Sequence, residues 1–129
     1  YINPDVIEGK FSESGFIENI VVLGENQKYA GAIIIPDFAF LKTWCQKHEI
    51  KYTTPQEMIL NPDVKKRYAE EIKKINQNFG DTEKIKRYEL VADEWSVTNG
   101  FLTPTLKVKR NVVKDIYKDL INKMYKDND

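Results

Sequence analysis

The run Ile17-Glu18-Asn19-Ile20-Val21-Val22-Leu23, followed by Gly24-Glu25-Asn26-Gln27-Lys28 and then by Tyr29-Ala30-Gly31-Ala32-Ile33-Ile34-Ile35-Pro36, reads as two β-strands joined by a short polar turn. Val21, Val22 and Leu23 are a near-continuous apolar run, and Pro36, which cannot donate to a ladder, closes the second strand. Two strands on a short Gly/Asn turn make an antiparallel hairpin. The density of Ile and Val calls for helices over at least one of its faces.

Upstream, Asn3-Pro4-Asp5 is a helix start, because Asn caps and Pro suits the first turn. Val6, Ile7 and Phe11 supply its apolar face, and Gly9 weakens it. Downstream, Asp37 caps a helix running to about His48, with Phe38, Leu41, Trp44 and Cys45 on one stripe. Thr53-Thr54-Pro55-Gln56-Glu57 starts another. Asn61-Pro62-Asp63 opens the clearest helix, in which Val64, Tyr68, Ile72, Ile75 and Phe79 recur at helical spacing, with Gly80 expected to end it. Ile85 to Val91 alternates as a third strand with neither face purely apolar, and Asn99-Gly100 is a tight turn. A last helix from Arg110 carries Val113, Ile116, Tyr117, Leu120, Met124 and Tyr125 on its apolar stripe, and Lys126-Asp127-Asn128-Asp129 reads as a frayed tail. This order predicts an α+β fold, a small mainly antiparallel sheet packed by several helices.

The chain has 129 residues, 41% apolar and 12% aromatic, which suits one domain with its own core, since domains cluster near about 100–150 residues. Twenty Lys and Arg balance twenty Asp and Glu, which argues against a dedicated nucleic-acid binder. A single cysteine, Cys45, excludes an internal disulfide and a cysteine-based zinc site, and suits a reducing, intracellular compartment. A single histidine, His48, excludes a multi-histidine metal site. The longest purely apolar run, Ala32 to Ile35, is far short of the ~20 residues of a membrane helix, and no signal-peptide pattern opens the chain. The first residue is Tyr1 rather than Met, so either a leader has been removed or the chain is part of a longer protein. The lack of a paired acid, base or nucleophile favours the second.

The neutral total hides a basic C-terminal quarter: from Thr105 to Lys126 there are seven Lys or Arg against two Asp. Before it, Asn99-Gly100-Phe101-Leu102-Thr103-Pro104-Thr105-Leu106-Lys107 is a turn and then a Pro-stiffened stretch that presents Lys107 from a loop, with Lys109 and Arg110 at the following helix start. An ammonium on a loop suits phosphate or a developing oxyanion. On spacing alone, a solvated Lys beside a basic helix face is the better reading. A nucleic-acid patch is disfavoured because base-stacking aromatics are not interleaved. His48 falls at a helix C-terminus, where capping outweighs catalysis. Cys45 falls on an apolar stripe, where packing outweighs reactivity. Asp93 and Glu94 have no partner that implies an acid/base pair, and packing is the better reading of Trp95. No phosphate loop, dinucleotide fingerprint or zinc signature occurs.

Leu102-Thr103-Pro104-Thr105-Leu106-Lys107-Val108-Lys109-Arg110 resembles the final core motif of the long-chain fatty-acid–CoA ligases, within the adenylate-forming enzymes. Much of that superfamily has Pro-Lys-Thr-x-Ser-Gly-Lys here. Tyr1-Ile2-Asn3-Pro4-Asp5-Val6-Ile7-Glu8 is similar to the second half of the family's post-hinge motif. Val22-Leu23-Gly24-Glu25-Asn26 and Ile33-Ile34-Ile35-Pro36-Asp37 resemble its hairpin, and Asp93-Glu94-Trp95-Ser96-Val97-Thr98-Asn99-Gly100 its approach to the Lys loop. The resemblance runs through essentially the whole chain, in order.

The resemblance implies that residues 1–129 are the C-terminal lid of a two-domain, AMP-forming acyl-CoA synthetase. The large N-terminal domain and the hinge would lie outside this chain, and with them the sites for ATP, Mg2+ and the acyl chain. The lid would present Lys107 for acyl-adenylate formation, then rotate and offer a face of the CoA tunnel for thioester formation. By this resemblance Lys107 is the catalytic Lys, Lys109 and Arg110 are supporting cations, and Tyr1, Ile2 and Asn3 belong to the CoA face. The partners implied are the protein's own N-terminal domain, fatty acid, ATP and CoA, with no nucleic acid and no metal held by this chain. The isolated chain is expected to be inactive. The parent is expected in the cytoplasm, with peripheral attachment at the inner membrane face left open. A medium-chain or aryl ligase is the alternative within the family. Outside it, the alternative is a non-catalytic module whose basic C-terminal helix binds phosphates, nucleic acid or anionic membrane.

Overall fold

A computed structural model of the chain describes residues 2–126. Tyr1 and the expected frayed end at 127–129 lie outside the described residues. In chain order the elements are α1 (Pro4–Phe11), β1 (Ile17–Leu23), β2 (Ala30–Pro36), α2 (Phe38–Lys47), α3 (Pro55–Met58), α4 (Pro62–Asn76), β3 (Ile85–Leu90), α5 (Arg110–Ile116) and α6 (Lys118–Lys126). The fold is α+β, as the sequence predicts.

The sheet has the order β1-β2-β3. The hairpin is as expected: β1 and β2 pair antiparallel, with Val22 opposite Ala32. β3, however, pairs parallel to β2, so the sheet is mixed rather than mainly antiparallel. The reason is the connection. Three helices carry the chain from the end of β2 back across the sheet, and such a crossover delivers the next strand in the same direction.

β2 is central, and every residue in it is buried. A strand covered on both faces reads as a continuous apolar run rather than an alternating one. Ile20, Val22, Ala32 and Ile34 face one core with Ile7 and Phe11 of α1, Leu41 and Cys45 of α2, and Val64, Tyr68 and Ile72 of α4. Val21, Leu23, Ile33 and Ile35 face a second core with Trp95, Leu102, Val113, Tyr117 and Met124. Helices therefore cover both faces. Gly31 is required by this packing: a Cβ there would lie 2.8 Å from Met124 Cε and from Tyr125 Oη. β3 is an edge strand and is only partly buried, which explains its mixed pattern.

The helix caps follow the sequence with two exceptions. Asp37 accepts from Phe40 N, Thr54 from Glu57 N, and Asn61 from Asp63 N and Val64 N. Asn3 occupies the cap position of α1 but makes no side-chain cap hydrogen bond. α4 stops at Asn76, before Gly80. There the Asn76 side chain turns to the sheet, donating from Nδ2 to Ile85 O and accepting at Oδ1 from Ile85 N, each at 2.9 Å. Phe79, beyond the helix end, stacks on Phe11 with ring centroids 6.3 Å apart.

The expected single C-terminal helix is two, α5 and α6, broken at Tyr117. Ile116 points to solvent, and so does Val6 in α1; neither joins the apolar face assigned to it. The helical stripe that meets the second core runs through Val113, Tyr117 and Met124, and Ile116 falls outside it.

Candidate functional site

Lys107 stands on a tight hairpin between β3 and α5. Leu102 and Val108 form an antiparallel bridge at its base, and Leu102 is buried in the second core. Thr103 N donates to Lys107 O at 2.8 Å, and Leu106 N donates to Thr103 O at 2.7 Å. Lys107 N donates to Thr103 Oγ1 at 3.1 Å, and that hydroxyl also shares a hydrogen bond with Thr105 Oγ1 at 3.0 Å. Leu106 has φ 68°, a left-handed backbone that bulky residues rarely adopt, and its side chain is 66% exposed. Such a conformation costs on the order of 1 kcal/mol and persists only where the surroundings hold it.

The Lys107 side chain is exposed, and no hydrogen bond or ion pair engages its Nζ among the described residues. The ammonium is thus free to meet an anion brought to it. It borders a cleft of about 290 Å³ between the hairpin, α1 and β1, reaching Gly9, Ser12 and Asn19. A second cleft, of about 670 Å³, also reaches Leu106 and runs over Phe38, Trp95 and Leu102. The hairpin tip borders both.

Arg110, expected as a supporting cation, lines the same cleft as Lys107, with its guanidinium bonded to α1 and β1. Its Nη1 donates to Glu8 Oε2 at 2.6 Å and to Val22 O at 2.7 Å, and its Nη2 donates to Glu8 Oε1 at 3.2 Å and to Asp5 Oδ1 at 3.5 Å. Glu8 Oε2 also accepts from Val22 N at 2.8 Å. β1 is an edge strand, and Val22 would otherwise show both backbone groups to solvent. Arg110 and Glu8 cover that edge and tie α5 to α1. Glu8 is 102 residues from Arg110, and no local pattern marks the pair. Lys109 is exposed at the N-cap of α5, its backbone N–H donating to Phe101 O at 2.8 Å.

Ile2 and Asn3, expected on a second face, lie at the start of α1. Ile2 packs against the hairpin core and against Gly24, where a Cβ would meet its Cδ1 at 2.7 Å. Neither lines the cleft beside Lys107. Tyr1, assigned to the same face, lies outside the described residues. His48 takes the C-cap position of α2 and lies against Trp44, ring centroids 4.5 Å apart and tilted by 35°. Cys45 is fully buried, and burial pushes its thiol pKa up, so it packs rather than reacts. Trp95 is buried and stacks on Phe101 at 5.3 Å.

Sequence reasoning missed the polar chain beneath this hairpin. Trp95 Nε1 donates to Tyr117 Oη at 3.1 Å, and Tyr117 Oη donates to Asp93 Oδ2 at 2.6 Å. Placing Tyr117 on an apolar stripe was the only signal, and it hid the hydroxyl's role. Burial first, and then the hydrogen bond to Asp93, push the Tyr117 phenol from its ordinary value of 10.0 up to about 12. A phenol whose folded-state pKa is raised contributes stability that is complete below pH 10 and is lost as pH rises through 12. Unfolding free energy is therefore expected to fall across that interval, and Tyr117→Phe to flatten the fall. Tyr125, also pushed up to about 12 by burial, keeps a residual slope in the variant. Denaturant titrations at a series of alkaline pH values check this, and an unchanged slope in Tyr117→Phe rules it out.

A sequence model of the AMP-binding enzyme C-terminal domain matches residues 1–129. The chain belongs to that family. Among curated relatives, this AMP-binding enzyme C-terminal domain is 32% identical over 128 residues to long-chain-fatty-acid–CoA ligase 6 of Homo sapiens, covering 97% of this chain and 18% of the relative. It is 28% identical over 130 residues to the peroxisomal long chain acyl-CoA synthetase 6 of Arabidopsis thaliana, again 18% of that protein. The domain thus spans about a fifth of the length of the curated relatives it matches. Among solved structures, the adenylation–carrier didomain of carboxylic acid reductase from Segniliparus rugosus in complex with AMP superposes with a TM-score of 0.73 at 19% identity, over 96% of this chain and 16% of that one. The adenylation domain of a carboxylate reductase from Mycobacterium chelonae gives 0.74 at 17% identity, over 95% and 17%. At those identities the likeness is one of fold.

Proposed function

We propose that the chain is the mobile C-terminal domain of an ATP-dependent, AMP-forming long-chain fatty-acid–CoA ligase, and that Lys107 is its adenylation Lys. The observation that carries this reading is the exposed Lys107 ammonium, unpaired among the described residues and held out on a hydrogen-bonded hairpin beside an open cleft. The relatives whose names specify long-chain ligases support the substrate class, because they align along nearly the whole chain. As the acyl carboxylate approaches the α-phosphate of ATP, negative charge accumulates between them. A positioned ammonium stabilises that charge most where it is greatest, in the transition state. The same domain, turned about a hinge outside this chain, would then present the α1 end, with Ile2 and Asn3, toward CoA.

Among the described residues no three His, Cys, Asp or Glu side chains converge to hold a metal ion. No helix among them is long and apolar enough to cross a membrane. The alternative of an anion-binding module rests on the basic C-terminal quarter. Two of its seven cations are already paired inside the fold, Arg110 with Glu8 and Lys114 with Glu25. The ligase reading predicts that the 129-residue chain alone catalyses no ATP–pyrophosphate exchange with palmitate, and that exchange appears with the complete ligase. Robust exchange by the chain alone overturns it.

A further inference from the structure

Residues 104–107 are all exposed, so packing does not hold the tip of the hairpin in shape. Its conformation is nonetheless demanding, because Leu106 carries a left-handed φ of 68° with a bulky side chain. What restrains it is a single residue. Thr103 engages the tip through its N–H to Lys107 O, its carbonyl from Leu106 N, and its hydroxyl from Lys107 N. The same hydroxyl shares a second hydrogen bond with Thr105 Oγ1, in which either oxygen can donate. Thr103 itself is anchored, since Leu102 before it is buried in the second core and paired with Val108.

We infer that Thr103 is the positioning residue for Lys107: its hydroxyl, bonded to the Lys107 amide, holds Leu106 left-handed and so sets the direction in which the ammonium leaves the hairpin. The inference rests on the proposed role of Lys107 and assigns to that site the group that aims it. Thr103 touches no substrate in this account. It acts through the backbone on either side of Leu106. A glycine at position 106 would adopt the left-handed conformation without strain. The hydroxyl clamp is thus the counterpart of having Leu, and not Gly, before the Lys.

The test is made in the complete ligase, with the two half-reactions assayed separately: adenylate formation from palmitate and ATP, and thioester formation from supplied palmitoyl-adenylate and CoA. Thr103→Val keeps the shape and removes the hydroxyl. It is expected to lower kcat for adenylate formation by about tenfold, the scale of one neutral hydrogen bond, with KM for ATP changed less than about twofold. Thioester formation from supplied adenylate is expected to be unchanged. Thr103→Ser restores the hydroxyl and is expected to recover most of the rate. In a Leu106→Gly background the Thr103→Val loss is expected to shrink, because the backbone no longer needs holding. Wild-type adenylation by Thr103→Val overturns the inference. So does a Thr103→Ser variant as slow as Thr103→Val, or equal losses in both half-reactions. Lys107→Ala is run beside them: if it retains adenylation, the role of Lys107 itself is wrong. If it loses adenylation while Thr103→Val does not, only the positioning role is wrong.

Discussion

Lys107→Ala in the complete ligase is expected to slow acyl-adenylate formation by about 10²–10³-fold, the usual loss when one preorganised electrostatic contact is removed from a transition state. Thioester formation from supplied acyl-adenylate and CoA is expected to continue at close to the wild-type rate, since Ile2 and Asn3 do not line the cleft beside Lys107. Stability should hardly move. The side chain is exposed and makes no contact among the described residues that its loss would leave unpaired. The three readings together are specific. Loss of both half-reactions would point to a folding defect, and loss of neither would make Lys107 a solvated charge and favour the anion-binding module. Arginine at the same position keeps the charge but replaces a compact ammonium with a bulkier planar fork, so it is not expected to rescue fully.

Arg110→Met is expected to behave in the opposite way, destabilising the domain by about 2–4 kcal/mol. The substitution keeps the aliphatic stem but leaves the half-buried Glu8 carboxylate without its cation and Val22 O without its donor. It also frees the outer edge of β1. Arg110→Lys is expected to recover only part, because a single ammonium cannot bridge both Glu8 oxygens and the Val22 carbonyl at once. Chemical denaturation of wild type, Glu8→Met, Arg110→Met and the Glu8→Met/Arg110→Met double variant measures the coupling. The double variant should be less unstable than the sum of the singles, because no charge is then stranded. A change of less than about 0.5 kcal/mol in Arg110→Met, the size of an ordinary surface substitution, would show that the staple carries no weight.

The two variants separate what the sequence shows as one basic cluster. Lys107, Lys109 and Arg110 lie within four residues, and by composition each is simply a cation near a helix start. The hairpin turns Lys107 outward into solvent, while the first turn of α5 turns Arg110 inward onto α1. That difference follows from where the hairpin sits on the second core, through Leu102, Trp95 and Tyr117. It is not written in the spacing.

The sequence alone determined whatever depends on neighbouring residues. The β1–β2 hairpin, the caps at Asp37, Thr54 and Asn61, and the loop that presents Lys107 were legible because hydrophobic period, capping chemistry and turn residues act over a few positions. Tertiary structure decided what depends on residues far apart. The parallel placement of β3 was set by a three-helix crossover, since a strand's own residues do not say which way it will enter the sheet. α4 ended at Asn76 because its side chain found Ile85, and the last helix broke at Tyr117, whose hydroxyl joins Asp93 and Trp95. The staple at Arg110 belongs to the same class: its geometry exists only after the chain has closed, and its partner is chosen by the packing of the whole domain rather than by the residues beside it. The clamp at Thr103 is local, since its partners lie two to four residues away.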